Sequence, residues 1–164
     1  NIDAYFDNFN MYGSVSSYEC VNLGLNAEYT GENSVVAYDE DIAITGFTDL
    51  TISGSGNVII TGGNGVNGST YGANGTDGAS GIVVDNLTID ITGTLTVTGG
   101  NGGNGTVGKN GDKGIDADAW IGTAATNGGN GHTGGKGGAG ASAIVCTNLT
   151  PVEVATAVNL GMFG

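Results

Sequence analysis

Arginine is absent from this chain, histidine and proline occur once each, as His132 and Pro151, and only three cations, Lys109, Lys113 and Lys136, face 16 acidic residues. Each shortage excludes something. A formal charge of −13 repels phosphate backbones and anionic lipid, so nucleic acid is not an expected partner. No window approaches the roughly 20 apolar residues of a membrane-spanning helix, so membrane insertion is not expected either. With one histidine and no GxSxG, HExxH or P-loop string, nucleophilic, zinc-dependent and phosphoryl-transfer chemistries lack their usual residues. No enzyme activity is expected. His132 lies between Gly131 and Thr133 and reads as a solvent-facing spacer.

Cysteine is scarce as well. Cys20 and Cys146 lie outside any CxxC or His-rich context that would suggest zinc. They are expected to pair as a disulfide, with two buried thiols as the alternative. A bridge would close most of the chain into one loop, worth about 4 to 5 kcal/mol in the chain-entropy model. The chain opens on Asn1 without a basic and apolar leader, and a mature, secreted form is expected.

Glycine is what the chain has in excess, with 34 residues of 164. Ordering that many glycines gives up much backbone entropy, so a regular array of backbone hydrogen bonds must offset it. Repeats show where such an array would sit. DLTISGSGNVIITGGNG at 49–65 aligns without a gap on NLTIDITGTLTVTGGNG at 86–102, and GASGIVVDNLT at 78–88 parallels GASAIVCTNLT at 140–150. Each module reads as three short, β-branched, Thr-rich strands followed by a glycine excursion.

Within the excursions glycine keeps a three-residue beat: Gly62, Gly65 and Gly68, then Gly72, Gly75, Gly78 and Gly81, then Gly99 to Gly114, then Gly128 to Gly140. A flexible linker has no reason to hold this phase. Three residues per turn is the period of the polyproline-II helix, and collagen, which shares it, needs far more proline than Pro151 alone. The expected fold is therefore all-β, with short β-solenoid modules, similar to a parallel β-helix, that carry polyglycine-II helical bundles. A β-sandwich or jelly roll with polyglycine-II insertions is the alternative, because strand order is not written in one sequence.

A single domain over 1–164 is expected. Residues 1–40, with seven of the 11 aromatics, would form an N-terminal cap or packing segment; residues 41–164 hold the modules, with excursions at 62–81 and 99–140. The second excursion is expected to fold back as an antiparallel hairpin, with the region from Asp116 to Asn127, which includes Trp120, as its tip. Trp120 and Tyr71 then become candidate partner contacts, since exposed aromatics anchor interfaces. Asp112, Asp116 and Asp118 in NGDKGIDADAW are candidate calcium ligands, as is the cluster Asp39, Glu40 and Asp41, although neither has the full EF-hand spacing. Apart from calcium no cofactor is expected. N-glycosylation sequons stand at Asn67, Asn74, Asn86, Asn104 and Asn148.

The strings GGNGGNG and NGGNGHTGGKGGAGAS resemble the glycine-rich repeats of mycobacterial PGRS-type surface proteins. Their GxxGxxG phase is similar to that of phage tail-tip adhesins and springtail antifreeze proteins with polyglycine-II bundles. The resemblance covers 62–81 and 99–140 and implies an extracellular structural or binding role. The leading expectation is a secreted subunit that self-assembles with identical copies into a surface filament or coat. An adhesin gripping a glycan or cell-surface receptor through its excursion tips is the alternative, and ice binding through threonine-bearing faces is a third.

Overall fold

The computed structural model describes residues 2–28, 31–116, 122, 124–151 and 157–161. Among these residues the fold is all-β, and every strand pair is parallel. The strands recur in threes. The first coil contributes β1 (Ile2–Asp7), β2 (Asn10–Tyr12) and β3 (Val15–Ser16), and the second β4 (Cys20–Ala27), β5 (Glu32–Val36) and β6 (Ile44–Thr45). The third holds β7 (Asp49–Gly54), β8 (Asn57–Thr61) and β9 (Ile82–Val83), and the fourth β10 (Asn86–Ile91), β11 (Thr94–Thr98) and β12 (Ile144–Val145). A fifth begins with β13 (Asn148–Pro151) and β14 (Ala157–Gly161).

Three sheets result, ordered β1-β4-β7-β10-β13, β2-β5-β8-β11-β14 and β3-β6-β9-β12. Each coil thus gives one strand to each sheet and lies on the coil before it, the order a β-solenoid requires. The antiparallel sandwich is excluded by this pairing. Within the first 40 residues, β1 to β5 are strands of the same three sheets.

Period-two alternation decides which side chains face inward. Leu23, Leu50 and Leu87 stack in register and are all 1% exposed, and Leu25, Ile52 and Ile89 form the next column. Val58 and Leu95, then Val35, Ile60 and Val97, fill the second sheet's side, while Ile44 and Ile82 fill the third's. Burying a Leu or Ile side chain contributes about 1.5–3 kcal/mol, so this narrow interior supplies the hydrophobic stabilisation that the glycine excursions lack. The corner between β7 and β8 turns at Gly54, with φ of 109°, where a Cβ would also overlap the backbone of Ala27 one coil below.

Polar columns run beside the apolar ones. Asn22, Asp49, Asn86 and Asn148 share one register position. The Asn86 amide donates to Asp49 Oδ1 at 2.7 Å, and the Asn148 amide donates to Asn86 Oδ1 at 2.8 Å. A second column links the Asn26 amide to Asp7 Oδ1 at 2.8 Å and the Ser53 hydroxyl to Asn26 Oδ1 at 3.3 Å. Identical positions in successive coils lie one strand spacing apart, so side-chain amides with both donor and acceptor join coil to coil without loose ends.

Register also corrects the expected disulfide. Two residues before the asparagine column stand Cys20, Phe47, Val84 and Cys146, one per coil. Three strand spacings separate the cysteines, about 14 Å, twice the reach of a disulfide. Both are free thiols, half-buried and packed on the core.

Candidate functional site

The two excursions leave the solenoid at the same corner, after β8 and after β11, and return at β9 and β12. The first has an outgoing arm, 62–70, and a returning arm, 72–81; the second has an outgoing arm, 99–115, and a returning arm, 124–141. None of these residues is in a β-ladder, yet their backbones are paired on a three-residue beat.

Between coils the pairing is parallel. The amides of Gly62, Gly65 and Gly68 donate to the carbonyls of Thr98, Asn101 and Asn104 at 2.9, 2.7 and 2.9 Å, and Gly75 and Gly78 donate to Lys136 and Ala139 at 2.9 Å. Within the second excursion it is antiparallel. Gly129, His132, Gly135, Gly138 and Ala141 donate to Asp112, Lys109, Thr106, Gly103 and Gly100, at 2.7 to 2.9 Å. A third set runs diagonally, with Gly100, Gly103 and Thr106 donating to Ala79, Thr76 and Ala73 at 2.8 to 3.0 Å. Arm 99–115 therefore bonds three neighbouring arms.

Side chains reinforce the parallel contacts. Asn64 and Asn67 Oδ1 accept the amides of Asn101 and Asn104 at 2.9 and 2.7 Å, and Asn74 and Asp77 Oδ1 accept those of Lys136 and Ala139 at 2.8 and 2.7 Å. Glycine is required where arms touch: a Cβ at Gly105, Gly108 or Gly111 would overlap a carbonyl of the returning arm. At Gly131 and Gly137 the nearest atom to such a Cβ lies 3.5 Å away. At these two positions of the beat the fold leaves space, whereas at Gly128 and Gly134 a Cβ would come within 2.9 and 3.1 Å of a carbonyl of the outgoing arm.

The hairpins differ in length, and a step results. The first turns back at 69–72, where the Gly72 amide meets the Val107 carbonyl at 2.9 Å; the second runs on to Ile115 and Thr126, whose backbones pair at 2.9 Å. Beneath the overhang lies a recess of about 560 Å³ lined by Tyr71, Val107, Lys109, Asn110, Asp112 and Lys113. A second hollow of about 400 Å³, formed by Ser69, Thr70 and Thr106, shares Tyr71 and Val107 with it. Tyr71 stands at the inner corner, 72% exposed.

The remaining predicted residues fall as follows. Asp112 and Asp116 are exposed on the second excursion, while Asp118 and Trp120 lie outside the described residues. Asp39, Glu40 and Asp41 occupy an exposed turn, with Glu40 at φ 64°. Among the described residues no three His, Cys, Asp or Glu side chains come together as a metal site. Of the sequon asparagines, Asn67, Asn74, Asn86 and Asn148 bond neighbouring coils through their side chains, and Asn104 is exposed. Sequence reading missed the asparagine column, although the shared position ahead of Leu-Thr in each repeat was its signal.

Among the described residues the outermost strands of the three sheets are β1, β2 and β3 on one side and β13, β14 and β12 on the other. At the last coil all four residues of β13 are exposed, including Leu149 at 52%, which continues the buried column of Leu23, Leu50 and Leu87. At the first coil Tyr5 and Tyr12 are exposed, and Tyr12 packs edge-on against Tyr38 with ring centroids 5.5 Å apart. Comparison with known proteins gives no match, whether by family, by curated sequence or by solved structure. Among the described residues no helix is long and apolar enough to cross a membrane.

Proposed function

We propose that the chain is a secreted, non-enzymatic structural subunit that stacks end to end with identical copies into an extracellular filament or coat, and that its excursions form polyglycine-II bundles bracing the sides. One observation carries this reading: Leu149 is in register with a buried leucine column yet is half exposed on β13, which pairs with β10 on one side and has no partner on the other among the described residues. A parallel edge with free backbone groups, beside an apolar column that is uncovered there, is a template for another coil. The three-residue pairing beat and the contact of one arm with three others support the polyglycine-II geometry.

Negative-stain microscopy over a wide concentration range tests it. Fibres of uniform width are expected from the purified protein, and Leu149→Asp, which puts a charge on the edge, is expected to disperse them. Single particles at every concentration would refute the proposal. A second reading, an adhesin that holds a glycan at its excursion tip, is favoured by the exposure of Tyr71 in the recess. An aromatic face flanked by hydrogen-bonding side chains suits a sugar ring.

A further inference from the structure

Where the first hairpin stops, the acceptor row above it continues. The end of β11 and arm 99–115 take up amides from the first hairpin at Thr98, Asn101, Asn104 and Val107, and the next carbonyls on that beat belong to Asn110 and Lys113. Among the described residues no donor reaches either one, and both line the recess beneath the overhang. The recess is the lane of the first hairpin extended outward. It is closed at its inner end by Tyr71, and from Val107 to Ile115 it runs about 25 Å at ~3.1 Å per residue.

We propose that this lane is a docking site for an extended segment with glycine at every third residue, supplied by the returning arm of a second copy of the chain. The chemistry of the occupied part of the lane selects the ligand. Its donors, Gly62, Gly65, Gly68 and Gly72, are all glycine amides. A proline-rich helix of the same period has no N–H at proline and leaves the acceptors unmet. The returning arm carries the complementary row. Gly131, Gly134 and Gly137 are exposed, and among the described residues their amides have no acceptor. A Cβ at Gly131 or Gly137 would find its nearest atom only 3.5 Å away, so the chain's own packing does not account for glycine at these two positions. Donors three residues apart on one copy match acceptors three residues apart on the other. The inference rests on the reading of the chain as a self-associating subunit and adds a lateral contact to the end-to-end one.

Site-specific photocrosslinking separates the two contacts. A photoreactive residue in place of Asn110 is expected to give a crosslinked dimer whose joined peptide maps to 128–137 of the other copy; one in place of Leu149 reports end stacking. Gly131→Val is expected to leave the monomer's melting unchanged and to cut the Asn110 crosslink about tenfold, as loss of roughly one to two hydrogen bonds would. Inserting Gly-Gly-Asn-Gly-Gly-Asn between Thr70 and Tyr71, which fills the lane from within, is expected to abolish the same crosslink and spare that at Leu149. Crosslinking at Leu149 alone overturns the lane and leaves the filament. Crosslinking at Asn110 alone supports the lane and removes end stacking. An Asn110 crosslink that survives Gly131→Val, or that a free glycan competes away, overturns the lane.

Discussion

Replacing Gly105 and Gly131 by alanine, one at a time, sets the same chemical change at two positions of the same beat. At Gly105 the new Cβ would overlap the Gly135 carbonyl, and the returning arm must move. That displaces the bonds from His132 to Lys109, Gly135 to Thr106 and Gly138 to Gly103. At about 1 kcal/mol net for each, the loss is about 3 kcal/mol. Alanine restricts the unfolded chain and returns up to about 1 kcal/mol, which leaves a net cost near 2 kcal/mol. At Gly131 the nearest atom is 3.5 Å from the new Cβ, so only the favourable part remains. Hydrogen–deuterium exchange on dilute, monomeric protein reads the difference directly. Amides of 129–141 are expected to lose protection by about 30-fold in Gly105→Ala, the equivalent of 2 kcal/mol, and none in Gly131→Ala. Equal protection in the two variants would refute the argument that glycine is there because backbones touch.

The leucine column gives a second pair. Leu50→Ala, at a position 1% exposed, is expected to destabilise the folded monomer by about 2–5 kcal/mol in urea unfolding, whereas Leu149→Ala, at the open edge, is expected to cost well under 1 kcal/mol and to impair fibre formation instead. The polar column gives a third. Asn86→Ala removes bonds to both Asp49 and Asn148 and is expected to lower the melting temperature about twice as much as Asn148→Ala, which removes one.

Much of the solenoid was legible because its coils repeat without gaps where it matters. The alignment of Leu50 with Leu87, and of Asn86 with Asn148, is the observed strand register. The glycine phase was legible for the same reason, since a beat kept over four arms needs a regular partner. Coils one and two escaped notice because their spacing differs, with Asn22 lying 27 residues before Asp49 and Asp49 lying 37 before Asn86. Unequal corners hide a repeat from sequence comparison but not from the strands, which need only land one above the next.

The sequence by itself determined that the chain would be all-β, which residues would alternate inward, and that glycine would recur wherever two backbones must approach. Those are local properties, written in the alternation of side chains and the absence of Cβ atoms. Tertiary structure alone decided three things. It set parallel pairing over antiparallel, since both use the same alternating strand. It stood Phe47 and Val84 between the cysteines, which keeps the thiols free. It also laid the shorter hairpin against the longer one, because only the stacking of arm on arm reveals that carbonyls at Asn110 and Lys113 continue past the last donor below them.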